Sequence, residues 1–533
     1  MTLPAATTQT RGRRPPILIL TAAAVVAAAA VLPLGYLVVR ALSADADSRS
    51  FVPLTTTLEL VGNTLALAFG VAVAALAVGV PLAWLVVRTD LPGRRLWTVA
   101  AALPLVIPSF VAALALLGAF APKGVLQQAL EPLGVERLPE VYGYWGALLA
   151  LTLSTYPYVF LIVAAALRAA DPSHEEAARS VGAGTLGVLR RVTLPSLRPA
   201  LAAAATIVTL YVLSDFGAVS LMGYSTLTTG IYVRYESLLD RDAAAILALV
   251  LVGLAGLLVM LAARFRLRGA VHRSTPGTGR AARVVRLGRW RWPALFFSSV
   301  VTAVFLVLPL GVLLWWSFTG AGRRGIPWDS ALNTLGVSAV AAACAAVAVL
   351  PAAVLAWRFP SRPARLLERL TLLPTALPGI AVALALVFFG ARAGGFLYQS
   401  IGLLVLAYLV RFMPYALAST RASLDTVNPR LEEAARSLGR RQHEALAAVV
   451  FPLARSGVLA GAALVFLSTL KELPATLILR PIGFDTLATE IWTETSLAAY
   501  SAVAPSALLL VAIAAPLVYV ASLRTAWDLG AAE

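Results

Sequence analysis

Hydrophobic and polar positions alternate along this chain on the scale of whole segments. Apolar runs of about 20 residues, the length that carries a helix across about 30 Å of hydrocarbon, recur from end to end between short polar stretches. They predict spanning helices at 17–39, 58–87, 96–120, 144–167, 199–222 and 243–263, and again at 293–317, 331–357, 367–390, 398–418, 457–479 and 498–522. A membrane barrel would instead show short segments of alternating polarity. The expected fold is an all-α membrane protein, a polytopic helical bundle of about twelve transmembrane helices. The run 17–39 follows Arg11, Arg13 and Arg14, and Ala44-Asp45-Ala46 has the form of a signal-peptide cleavage site. The run is longer than the roughly 7–15 apolar residues of a secretory signal, so it reads as a first span that stays.

Two of the polar islands are nearly the same. One reads DPSHEEAARSVGAGTLGVLRRVTLPSLRPAL from Asp171, the other NPRLEEAARSLGRRQHEALAAVVFPLARSGVL from Asn428. At a constant offset of 257 residues, Glu175, Glu176, Ala177, Ala178, Arg179 and Ser180 fall on Glu432, Glu433, Ala434, Ala435, Arg436 and Ser437, and Gly182 falls on Gly439. Asp171 and Asn428 suit an N-cap, with Pro172 and Pro429 at the first helical position. A short helix then runs to Ser180 and Ser437, ended by a left-handed Gly182 or Gly439. Glu175 with Arg179, and Glu432 with Arg436, are i,i+4 pairs in the favourable order. The paired alanines leave a narrow face that fits a partner's groove. A second short helix is expected up to Pro195 and Pro452.

The duplication goes further. Asn63-Thr64, Pro81, Arg88, Pro104 and Pro108 match Asn333-Thr334, Pro351, Arg358, Pro374 and Pro378 at an offset of 270, and Pro157-Tyr158 matches Pro414-Tyr415 at 257. A longer exterior loop around 121–142 absorbs the difference. Two parallel six-helix repeats follow: a tail at 1–16, a first half at 17–263 with its polar loop at 168–198, a basic linker at 264–292, and a second half at 293–533 with its loop at 419–456. The linker holds nine arginines with Pro276, Gly277 and Gly279 and no apolar period, so it reads as a flexible connector.

Composition sharpens this. Of 533 residues, 60% are hydrophobic and 13% charged, about half the charged share of a soluble domain. The net charge of +17 is topogenic: with the amino terminus inside, cytoplasmic segments hold 30 Lys/Arg and exterior ones 10, with Arg369, Arg411 and Lys471 inside spans. Both termini and both Glu-Glu-Ala-Ala islands then face the cytosol. No compact basic domain exists to bind nucleic acid. The single Cys344 and the scattered His174, His272 and His443 offer no metal cluster. Trp290, Trp292, Trp315 and Trp316 near span ends fit an interfacial aromatic belt. There is no Gly-x-x-x-x-Gly-Lys-Ser/Thr loop and no nucleophile–base set, so no enzymatic centre is expected in the chain itself.

Glu176-Ala177-Ala178…Gly182…Pro195 and Glu433-Ala434-Ala435…Gly439…Pro452 resemble the EAA loops of permease subunits of binding-protein-dependent ABC importers. The resemblance covers about 55–525, as two fused permease halves of the type I kind. It implies that each loop forms a coupling helix docking in an ATPase cleft. One chain would then serve two ATPase copies, with no permease homodimer, and an extracytoplasmic binding protein would deliver the cargo. This chain would bind no cofactor itself; ATP and magnesium would sit on the ATPase.

Ser214-Asp215-Phe216-Gly217-Ala218-Val219, and Lys471-Glu472-Leu473-Pro474-Ala475-Thr476 with Leu479-Arg480-Pro481, resemble the ferric-iron permeases of that family, as do Thr226-Leu227-Thr228-Thr229 and Thr486-Leu487-Ala488-Thr489. Ferric iron is thus the expected cargo, with thiamine or 2-aminoethylphosphonate as alternatives. Asp215 and Glu472 align near the end of a span. Either they line the translocation path, where a carboxyl favours a cation, or they cap an exterior loop. A more distant alternative is an ion-gradient-driven secondary transporter, for which the paired loops would have no use.

Overall fold

The computed structural model describes residues 15–43, 53–120, 124–135, 138–171, 173–237, 240–268, 284–319, 325–497 and 499–530. Pro172, residues 44–46 and the linker stretch 269–283 lie outside these. The described chain is all-helical, with ten helices long and apolar enough to cross a membrane, or twelve if each of two sharply bent helix pairs is one span.

Prolines stand at three of the four places where the continuous spans expected from hydropathy break. The expected span 96–120 is two helices, Arg94–Ala102 and Ser109–Phe120, joined by a 3-10 turn at Leu103–Val106. Its counterpart is Arg362–Leu372 and Gly379–Arg392 around the turn Leu373–Ala376, and there the pair bends by 108°. Pro108 and Pro378 force the residue before them out of helical geometry: Ile107 has ψ 116° and Leu377 ψ 114°. The expected spans 199–222 and 457–479 likewise stop early. Arg198–Ser214 ends at Asp215, and Phe451–Leu470 ends before Glu472. The separate short helices Gly217–Leu221 and Pro474–Leu479 follow.

The chain divides into two compact units. One comprises residues 1–36, 335–377 and 388–469, the other residues 37–334, 378–387 and 470–533. In the larger unit, helix Leu54–Arg88 packs along Tyr144–Ala169 and Arg198–Ser214. Small residues permit the approach: a Cβ on Gly79 would lie 2.8 Å from Val159 Cβ and 3.0 Å from the Tyr156 carbonyl. Gly79→Leu is expected to cost about 1–3 kcal/mol by overpacking, read as a lower unfolding temperature in detergent; Gly62→Leu, with open space around it, should change little. A second seam joins Ser109–Phe120 to Leu308–Thr319 through Ala115, Ala119 and Val312. Trp316 packs against Gly118 and stacks on Tyr500 there. It serves this seam, whereas Trp290 and Trp292 are exposed as an interfacial belt requires.

In the smaller unit, Ile401–Leu424 carries the side of Ala416 and Ser419 against Gly461 of Phe451–Leu470. Tyr36 of helix Ile17–Leu42 donates to the Phe388 carbonyl at 3.2 Å and meets Phe389 edge-on.

The described end of the linker is not a free connector. Val285 donates to the Arg88 carbonyl at 2.8 Å, Asp90 donates back to the Val285 carbonyl, and Asp90 Oδ1 accepts from the Leu287 amide. A stretch without apolar period is held here by main-chain pairing, which leaves no hydropathy signal.

Candidate functional site

Both islands form the helix their caps predict. The first is Ser173–Ser180, where Asp171 Oδ1 accepts the Ser173 amide at 2.9 Å; that bond holds the Asp171 carboxyl below its ordinary value. The second is Pro429–Ser437, where Asn428 Oδ1 accepts the Arg430 amide at 3.0 Å. Gly182 and Gly439 end them at φ 85° and 89°, left-handed geometry that a side chain would strain. The expected second short helix runs from Thr185 to Ser196 in the first repeat and bends by 59° into Arg198–Ser214, whereas in the second it continues from Gln442 into Phe451–Leu470 without a stop; both widen into a π turn, at Leu189–Thr193 and Leu446–Val450. Pro195 and Pro452 are the cause. Each lacks an amide and crowds the carbonyl four residues earlier, which lies inside the widened turn.

Successive positions on a helix point about 100° apart, and the two glutamates of each island divide accordingly. Glu176 and Glu433 are exposed, as are Ala177 and Ala434. Glu175 and Glu432 are buried, 7% and 0% exposed. Each buried carboxylate meets an arginine at the end of a long apolar segment. Arg88 Nη2, at the last position of Leu54–Arg88, lies 3.4 Å from Glu175 Oε1. Arg358 Nε, at the last position of Leu350–Arg358, lies 2.5 Å from Glu432 Oε2. The i,i+4 partners add to this: Arg179 at 3.6 Å from Glu175 and Arg436 at 3.9 Å from Glu432. Thr193 also donates to Glu175 at 3.1 Å, and Arg358 reaches Glu433 at 3.4 Å. Ala178 and Ala435 are half-buried under the helix. The sequence pairs Arg88 with Arg358 as equivalents but gives no sign that they are the partners of the islands. Only the signal of a charged residue repeated at the end of an apolar run could have singled them out.

The profile of the family described as binding-protein-dependent transport system inner membrane component matches residues 75–271 and 348–526. The chain belongs to this family. It is a multi-pass inner-membrane permease of an ABC importer with a duplicated permease domain. It is not itself an ATPase, and it works with ATPase and binding-protein partners. It is similar to the Fe(3+)-transport system permease protein FbpB 2 of Haemophilus influenzae, 30% identical over 488 residues that cover 90% of this chain and 93% of that protein. A probable molybdenum ABC transporter permease of Haloferax volcanii is 35% identical over 230 residues, 42% of this chain and 81% of that one. The sulfate transport system permease protein CysT of Salmonella typhimurium is 32% identical over 204 residues, 36% and 72% of the two chains. Membership removes the gradient-driven transporter as an alternative.

The permease's other duplicated motifs meet one another. Thr64 accepts the Leu227 amide at 3.0 Å and Asn63 donates to the Ser225 carbonyl at 3.1 Å. Thr334 accepts the Leu487 amide at 2.8 Å and Asn333 donates to the Asp485 carbonyl at 3.0 Å. Each Asn-Thr pair therefore holds the start of the helix opened by a Thr226 or Thr486 capping box. Asp215 and Glu472 are buried and serve as caps. Asp215 Oδ1 accepts the Ala218 amide at 3.0 Å while Ser109 donates to Oδ2, and Glu472 Oε1 accepts the Ala475 amide at 3.1 Å. In the larger unit a cavity of about 510 Å³ is lined by Trp328, Asp329, Asp485, Glu490, Glu494 and Arg480, among others. Arg480 pairs with Asp485, so the remaining lining charge is negative.

Proposed function

We propose that this permease imports ferric iron by alternating access. The observation that carries the cargo is the 30% identity across 93% of a ferric-iron permease, supported by the Ser214–Val219 and Lys471–Thr476 motifs. A loaded binding protein docks outside. Two ATPase copies, holding ATP and magnesium, engage the helices Ser173–Ser180 and Pro429–Ser437 from the cytosol, where both termini also lie. The contact residues are Glu176, Ala177, Glu433 and Ala434, whose exposure suits docking, while Glu175, Ala178, Arg179, Gly182, Glu432, Ala435, Arg436 and Gly439 shape and seat the two helices. ATP-driven approach of the ATPases draws the two helices together and opens the cavity outward; hydrolysis resets it.

The molybdenum and sulfate permeases among the relatives favour an oxyanion as a second reading. Against it stands the extent of the matches, 90% of this chain for the ferric-iron permease but 42% and 36% for the molybdenum and sulfate permeases. Uptake of labelled ferric iron in cells lacking the chain, with and without its restoration, tests the cargo, with molybdate, sulfate, thiamine and 2-aminoethylphosphonate in parallel. Restored iron uptake supports the proposal; restoration of another substrate alone replaces the cargo and leaves the permease.

In this reading Asp215 and Glu472 also lie along the route. Asn caps a helix about as well as Asp, whereas Ala loses about 0.5–2 kcal/mol. Asp215→Asn with Glu472→Gln is therefore expected to keep the fold and slow iron uptake severalfold. Unchanged uptake would leave the two carboxyls as caps alone.

A further inference from the structure

Each loop helix is joined through the backbone to the helices on either side of it, Tyr144–Ala169 and Arg198–Ser214 in the first repeat, Ile401–Leu424 and Phe451–Leu470 in the second. It has no such connection to the long helices that end at Arg88 and Arg358. Those helices end against it through the ion pairs Arg88–Glu175 and Arg358–Glu432. The surroundings of the pairs differ between repeats: Thr193, which donates to Glu175, is replaced by Val450 at the equivalent place. The arginine at the helix end, the buried glutamate and the arginine one turn on are the same in both. An apolar contact would seat the loop helix as firmly, but it would let the two surfaces slide. A guanidinium and a carboxylate shielded from water attract one another across the contact, and salt screens that attraction little.

We propose that the Arg88–Glu175 and Arg358–Glu432 pairs are the links that carry movement of each loop helix into the long helix behind it. Arg88 and Arg358 are then positioning residues for the transport cycle. The proposal rests on the reading that Ser173–Ser180 and Pro429–Ser437 meet the ATPase. Because Leu54–Arg88 packs along both Tyr144–Ala169 and Arg198–Ser214, a pull at Arg88 reaches the core of its bundle directly.

The test uses the whole transporter, this chain with its ATPase and binding protein, in proteoliposomes. The readout is substrate imported per ATP hydrolysed. Arg88→Met with Glu175→Leu, combined with Arg358→Met and Glu432→Leu, removes both links while leaving apolar packing. Glu175→Gln with Glu432→Gln is a milder form for the case in which the fourfold variant does not reach the membrane. The expected result is that the ATPase still co-purifies and hydrolyses ATP, while import per ATP falls tenfold or more in the fourfold variant and about threefold in the glutamine variant. An unchanged ratio in an assembled variant overturns the proposal, and so does loss of the ATPase itself, which would make the pairs part of docking. The underlying reading fails separately: Ala177→Arg with Ala434→Arg leaves both links intact, and normal ATPase assembly there would show that these faces are not the docking surface.

Discussion

Replacing Glu176 and Glu433 together with lysine is expected to lower uptake about a hundredfold or more, with the chain still present in the membrane. Both side chains are exposed, Glu433 beside Arg358 at 3.4 Å. Exposed substitutions usually change stability by no more than about 0.5 kcal/mol. Loss of the acidic Glu176 from the first turn of Ser173–Ser180 adds about 0.3–1 kcal/mol. A central interface residue, by contrast, typically costs about 2 kcal/mol or more when its contact is lost. Two such losses approach about 4 kcal/mol, close to a thousandfold in affinity at about 1.4 kcal/mol per factor of ten. The measurements are co-purification of the ATPase and uptake of labelled substrate. A variant that assembles and transports normally would remove Glu176 and Glu433 from the docking face.

What the sequence disclosed and what it hid divide along physical lines. Caps and glycines act within a few residues, so Asp171, Asn428, Gly182 and Gly439 could be assigned their geometry from their neighbours alone. Spans were legible because hydrocarbon thickness sets a length that hydropathy records. Their interruptions were not, although Pro104, Pro108, Pro374 and Pro378 were visible as repeated. Hydropathy sums over a window and cannot register a bend of 108° inside an apolar run. Partners distant in sequence were hidden altogether. Asn63-Thr64 and Thr226-Leu227 each stood out as duplicated, but nothing in either string says that the first accepts and donates at the start of the second. The same holds for Arg88 and Glu175. Adjacent glutamates look equivalent on paper, and only packing separates a buried anchor from an exposed contact.

That separation sets the largest stability effect expected in this permease. Arg358→Met alone leaves Glu432, 0% exposed, with Arg436 at 3.9 Å as its remaining charged neighbour. Breaking a buried pair from one side costs about 3–5 kcal/mol, whereas replacing both members with apolar groups of similar volume is often neutral. Arg358→Met with Glu432→Leu should therefore recover most of the loss, and a double-mutant cycle should return a coupling energy of about 3 kcal/mol or more, at or above the top of the range usual for contacting residues. Thermal unfolding of the purified chain in detergent supplies the numbers. If the double variant is no more stable than Arg358→Met, the pair is not an isolated contact, and the carboxylate must draw its stabilisation from elsewhere in the unit. If the cycle closes as expected, stability and transport can be set apart. The doubly apolar chain would then be folded and able to assemble, lacking only the ionic link, so any fall in import per ATP would belong to transmission and not to a damaged fold.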